Sequence, residues 1–232
     1  MIKKRRLHDW SEPQGFPEMQ TCDAAWIHGD LLQFSLCEAM YKRKGLHAVL
    51  DIFREYHDEL LRMYDVGQKD GEGYPLVNPS AIDFVPCNVI KNSQGMFGID
   101  HEWRSQRTFG VDYVLFRAVY LFAFDQYPFI LRNLSIPDDN IVTFITSILQ
   151  AIYPQYDRKR HEQNKQMEEQ FQSTVTGRPV KMPSAEEFKI LKDPLLRKDA
   201  QINALLNSWS WKVTKPLRWF RGKKESFEKL LR

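Results

Sequence analysis

Apolar side chains recur at helical spacing in some stretches of this chain and at strand spacing in one. Over residues 46–64 the stripe Leu46, Val49, Leu50, Phe53, Tyr56, Leu60, Leu61 and Tyr64 keeps a 3.6-residue period. That predicts an amphipathic helix with one face on a core. His47 and His57 fall off the stripe and are expected to face solvent. Residues 109–126 are apolar or aromatic on nearly every face, which predicts a buried central helix, ended by Pro128. A shorter helix is expected through Lys44, with Ser35 as its cap and Gly45 as its stop. Another should run over 140–153, between Pro137 and Pro154. Residues 81–103, AIDFVPCNVIKNSQGMFGIDHEW, read differently: a strand over 85–90, a turn at 92–95 and a second strand over 96–99.

The polar stretches complete the outline. Residues 68–79 hold two glycines among polar residues and read as a surface loop. Residues 157–172, DRKRHEQNKQMEEQFQ, favour helix but show no apolar stripe. They are expected to form a solvated or coiled-coil-like spacer, with a hint of self-association. A linker follows over 173–183, then one or two short helices from a Ser184/Glu187 capping box.

Composition narrows the class. At 232 residues, 43% hydrophobic and 27% charged, the chain can bury one good core. A net charge of +3 is too small to signal nucleic-acid binding by itself. The longest apolar run, 113–124, is interrupted by Arg117, so no membrane-spanning helix is expected. The basic start MIKKRRLHDW lacks the apolar core of a signal peptide. Cys22, Cys37 and Cys87 lack CxxC spacing and suggest reduced, cytoplasmic thiols rather than a zinc site.

Candidate chemistry sits on the 81–103 hairpin. Asp83 stands four intervening residues before Asn88; Asp100 closes the second strand, and Glu102 follows. An Asp on a loop can accept the proton of an attacking hydroxyl. An Asn and an Asp at neighbouring hairpin ends can share Mg²⁺ with nucleotide phosphates, because Mg²⁺ takes hard oxygen ligands and retains phosphate oxygens. A second D-x4 arrangement, His28-Gly29-Asp30, has Ser35 in the metal slot. It reads instead as a hinge into the following helices. Asp112 opens the central helix, either to hydrogen-bond the catalytic-loop backbone or to favour the helix N-terminus.

With these residues in view, the D-x-x-P-x-N…G…I-D-x-E-W pattern of Asp83, Pro86, Asn88, Gly95, Ile99, Asp100, Glu102 and Trp103 resembles a known module. It is the kinase-like, aminoglycoside-phosphotransferase-type module of multidomain bacterial surface-polysaccharide proteins, which join methyltransferase, kinase-like and glycosyltransferase units. Leu205, Ser208, Ser210, Trp211, Thr214, Pro216, Leu217 and Arg218 are similar to the linker that often follows it. The resemblance implies Asp83 as catalytic base, Asn88 and Asp100 as Mg²⁺ and ATP ligands, and Glu102 as a further metal-facing acid, with Trp103 in a packing role. The sequence departs from the pattern in two respects. No His precedes Asp83 in Ser80-Ala81-Ile82-Asp83, and no glycine-rich loop or strand lysine is found upstream.

The expected fold is therefore α+β and mostly helical: a kinase-like C-lobe over 26–155 with a small catalytic hairpin and an N-lobe largely absent. Residues 1–25 form a basic approach, 156–183 a spacer and linker, and 184–232 a helical basic tail. The implied activity is Mg-ATP-dependent phosphate transfer to a glycan hydroxyl in lipopolysaccharide biosynthesis. The alternative is a non-catalytic scaffold that recruits a glycosyltransferase or the inner-membrane surface. The tail from Trp209 to Arg232, which interleaves tryptophans with lysine and arginine, suits either an anionic membrane surface or an acidic partner groove. Nucleic acid is not expected as a partner, because nothing supplies base-stacking platforms on a sheet. The expected location is the cytoplasm, peripheral on the inner membrane.

Overall fold

A computed structural model describes residues 18–19, 26–42, 45–100, 103–104, 107–134, 136, 140–188, 190, 198, 201 and 204. The chain divides into two compact units, Met1–Ala185 and Glu186–Arg232, and the fold below is that of the first. Its elements in order are β1 (Glu18–Met19), β2 (Asp30–Leu31), α1 (Leu32–Tyr41), α2 (Gly45–Tyr64), β3 (Asp65–Lys69), β4 (Pro75–Val77), β5 (Val89–Asn92), β6 (Gly95–Gly98), β7 (Trp103–Arg104), β8 (Phe109–Gly110), α3 (Val111–Asn133), α4 (Ile141–Ile152) and α5 (Arg158–Thr176). Two 3₁₀ turns, Pro79–Asp83 and Pro86–Asn88, lie between β4 and β5. The architecture is α+β and mostly helical. It has two three-stranded antiparallel sheets, ordered β2-β5-β6 and β3-β4-β8, and a short β1-β7 pair.

The core is helical. α2 buries Val49, Phe53, Tyr56 and Leu60, four members of the stripe that its 3.6-residue period marks. Phe53 meets Phe122 of α3 edge-on at 6.0 Å, and the Tyr56 ring stacks on Phe84 at 5.3 Å. Such ring pairs contribute roughly 0.5–1.5 kcal/mol beyond the area they bury. α3 is buried on nearly all sides, and α4 adds Ile141, Phe144, Ile145, Ile148 and Leu149. Asn140 caps α4 by accepting from the Val142 N–H at 2.8 Å, which satisfies one of the four amides a helix start leaves open.

Several expectations need correction. Ser35 does not cap the first helix and Gly45 does not stop it: α1 runs from Leu32 to Tyr41 with Ser35 inside it, and Gly45 opens α2. The strand expected over 85–90 starts only at Val89, because Pro86–Asn88 forms a 3₁₀ turn. Pro128 does not end the central helix: α3 runs from Val111 to Asn133 with Pro128 inside it. A mid-helix proline removes one backbone bond and costs about 3 kcal/mol. Here Tyr127 and Ile130, both buried, anchor the turns on either side of it. Residues 68–79 are not a plain loop, since β3 and β4 pair across them with Asp65 opposite Val77. Asp70 holds the turn by accepting from the Glu72 and Tyr74 amides, each at 2.9 Å. His57 is not solvent-facing: its side chain is only 12% exposed and its Nε2 lies 2.6 Å from the Tyr153 hydroxyl. Finally, α5 is not a solvated spacer, because it buries His161, Asn164, Glu168 and Phe171. Its buried face is polar, so an apolar stripe was the wrong thing to look for.

Candidate functional site

The candidate site starts at a tightly held turn. Pro79 opens the first 3₁₀ turn, and Asn78 caps it by accepting from the Ser80 amide at 3.0 Å. The turn ends at Asp83, which is 4% exposed. Phe84, at φ −77° and ψ 68°, forms an inverse γ-turn in which the Val85 amide donates to the Asp83 carbonyl at 2.8 Å. The carbonyls on both sides of Asp83 are held from the core. Arg117 Nε donates to the Ile82 carbonyl at 3.1 Å, and the Tyr56 hydroxyl donates to the Phe84 carbonyl.

Two further hydrogen bonds close this segment against the far arm of the hairpin. The Ile99 amide donates to the Asn88 carbonyl at 2.7 Å, which continues the β5–β6 register in which Val89 faces Gly98. The Trp103 amide donates to Asp83 Oδ2 at 2.8 Å. Asn88 and Asp100 thus stand at one end of the hairpin, and Asp83 is tied to the strand that follows Asp100. Asp100 has a φ of 56°, a left-handed conformation that few residues other than glycine adopt and that Asp and Asn tolerate best. Strained backbone of this kind clusters at functional positions. Glu102 lies outside the described residues, as do residues 205–232, which include the tail from Trp209 to Arg232.

The charges around this loop are coupled. Burial pushes the Tyr64 hydroxyl up to about 12, helped by the Asp83 carboxylate. Burial also raises the Cys87 thiol, with Asp125 and Asp100 adding to the effect and Arg117 opposing it. The exposed Cys87 therefore holds its proton more firmly than an ordinary cysteine, which leaves less of the reactive thiolate. Asn88 is half-buried and Asp100 exposed. An amide oxygen and a carboxylate form a small set of hard donors, which fits Mg²⁺ shared with phosphate oxygens and water better than a cage made by protein alone. Among the described residues no group of three or more His, Cys, Asp or Glu is placed to hold a metal by itself. No protein-family model, curated protein or solved structure matches the chain.

His28-Gly29-Asp30 lies at the edge of the β2-β5-β6 sheet, where Asp30 faces Lys91 and Asn92 Nδ2 donates to the His28 carbonyl at 2.9 Å. It belongs to a strand approach, not to a catalytic turn.

A second polar centre joins α3 to α5, and sequence reasoning missed it. Arg160 holds Asp112 through two bonds, Nε to Oδ2 at 2.6 Å and Nη2 to Oδ1 at 2.7 Å, and Asn164 Nδ2 adds a third at 2.8 Å. Asp112 lies in the first turn of α3, as the helix-dipole reading has it, but these partners come from α5, which neither reading had in view. Gly110 makes room for them: a Cβ there would come within 2.5 Å of Asp112 Oδ1. Arg160 also reaches Asp70 at 2.7 Å and Glu72 at 3.1 Å, tying in the β3–β4 turn. Two turns deeper, Arg117 and Glu168 form an ion pair whose side chains are 8% and 0% exposed. Tyr113 donates to the same carboxylate at 3.0 Å. Burial would lower the Arg117 pKa, but Glu168, Tyr113 and Asp83 more than offset it, so the guanidinium stays charged. One signal was available: charges at 112 and 117 inside an otherwise apolar helix require buried counter-charges, and Arg160 and Glu168, eight residues apart on α5, supply them.

Proposed function

We propose that this chain is a kinase-like phosphotransferase module that uses Mg-ATP to phosphorylate a glycan hydroxyl in surface-polysaccharide biosynthesis. The observation that carries the reading is the pairing of Asn88 with the end of β6, which sets the left-handed Asp100 beside it. Asn88 and Asp100 would hold Mg²⁺, with Glu102 a further candidate ligand. The ion would neutralise phosphate charge as the γ-phosphoryl group moves. Asp83 orients the acceptor hydroxyl and accepts its proton. The acceptor oxygen bonds to the γ-phosphorus, the bond from that phosphorus to the β–γ bridging oxygen breaks, and ADP leaves.

The near-complete burial of Asp83, with one oxygen committed to the Trp103 amide, favours one other reading. In it the same platform is non-catalytic and recruits a glycosyltransferase or the inner-membrane surface through the Trp209 to Arg232 tail.

Calorimetry of Mg-ATP binding to the intact chain separates the two. Asp100→Asn is the better variant than alanine, because Asn tolerates the left-handed backbone while losing the charge. Wild-type binding that weakens by at least about tenfold in Asp100→Asn, with Asp83→Asn still binding but transferring no phosphate, is the expected result. A folded wild-type chain that binds no Mg-ATP would end the phosphotransferase reading and leave the platform.

A further inference from the structure

We propose that Arg117, held by Glu168 of α5, is a positioning residue for Asp83. The proposal deepens the phosphotransferase reading and rests on it for its catalytic consequence, although its structural content can be tested separately. The two residues are 51 apart in the chain, and Glu168 lies on the helix that the sequence presents as the most hydrophilic.

The argument begins with cost. Moving two charges into a core carries a desolvation penalty that their attraction often fails to repay, and well-packed apolar replacements of such pairs are frequently as stable or more so. A pair this deeply buried therefore calls for a geometric role, and the contacts supply one. Arg117 has a planar fork of donors. Nη1 is committed to Glu168, and Nε is thereby aimed at the Ile82 carbonyl, one residue before Asp83. The 3₁₀ turn ends here, so this carbonyl would otherwise lack a donor.

α5 grips the site by a second route. The Phe171 ring lies under the Arg117 guanidinium at 4.5 Å and meets the Trp103 ring edge-on at 6.4 Å. Trp103 is the residue whose amide donates to the Asp83 carboxylate. One turn of α5, Glu168 to Phe171, thus fixes both the backbone before Asp83 and the donor to its side chain. Phosphoryl transfer depends mainly on positioning, and a misplacement of about 1 Å can cost roughly 100-fold in rate.

The test uses the intact chain with Arg117→Met and Glu168→Gln combined. Neither charge is then left without its partner, and the glutamine oxygen can still accept from Tyr113. Hydrogen exchange of the Trp103 amide is compared with that of Val119, in mid-α3. The double variant is expected to unfold within a few degrees of wild type while its Trp103 amide exchanges at least about tenfold faster and Val119 is unchanged. Where wild type transfers phosphate, kcat should fall about 100-fold with little change in KM for Mg-ATP. Arg117→Lys keeps the charge without the fork and should also exchange fast at Trp103. Unchanged Trp103 exchange in a folded double variant would overturn the proposal, as would wild-type exchange in Arg117→Lys. A wild-type chain without nucleotide binding would remove the phosphotransferase reading alone, and the exchange comparison would still decide the positioning role.

Discussion

Single residues carry much of the site's definition. Gly29 has a φ of 152°, and a Cβ there would lie 2.5 Å from the Lys91 carbonyl oxygen and 2.6 Å from Ile90 Cγ2. Gly29→Ala should therefore force β2 off β5 and lower the thermal midpoint by several degrees, at a cost of roughly 1–3 kcal/mol; a wild-type midpoint would show that this approach is slack. His161 gives a pH dependence. It is 8% exposed, its ring meets Phe116 edge-on, and burial lowers its pKa below the ordinary 6.5; Glu162 opposes that shift and Lys165 adds to it. The unfolded chain then binds the proton more readily than the folded one. Its contribution to stability is accordingly present above about pH 6.5 and lost as pH falls through the folded value. Thermal midpoints from pH 7.5 to 5.5 should drop less steeply in His161→Gln than in wild type, and parallel curves would refute the assignment. At this scale the sequence was informative where spacing is short. Asp83, Asn88 and Asp100 could be picked out because eighteen positions and one hairpin contain them. Arg117 was noticed only as an interruption, because its meaning depends on Glu168.

Among elements, α2 and α5 mark the limits of pattern reading. The period of α2 is written in apolar residues, and the helix lies where that period puts it. α5 has a period too, in histidine, asparagine, glutamate and phenylalanine, and a count of apolar positions passes over it. Tertiary partners also override local rules in α3, whose Pro128 would end an isolated helix. The turn between β3 and β4 escaped notice because its order comes from Asp70 accepting from nearby amides, not from alternation. The seam between α3 and α5 predicts a large effect from a small change. Asp112→Asn keeps the shape of the side chain and leaves Arg160 facing a neutral amide. Breaking a buried pair in this way costs about 3 kcal/mol, or roughly 6–12 °C in thermal midpoint for a domain of this size. A shift of a degree or less would mean that Asp70 and Glu72 alone suffice for Arg160.

For the whole molecule, the class came through from the sequence: α+β, mostly helical, with a small hairpin bearing the candidate chemistry. Its long-range wiring did not, because ion pairs between residues about fifty positions apart leave no local trace. α3 is the one helix among the described residues with the length and apolarity to cross a bilayer. Its neighbours α1, α2, α4 and α5 and its two buried ion pairs give it the character of a core helix instead. The late position of α5 has a consequence for synthesis on the ribosome. When residues up to Tyr156 have emerged, the chain holds all of α2, α3 and α4, and these could begin to collapse. Asp112 and Arg117 would then sit among apolar surfaces without the counter-charges of Arg160 and Glu168. The nascent chain is thus kept from burying its central helix for good until about a dozen further residues have been added, after which α5 can latch it shut.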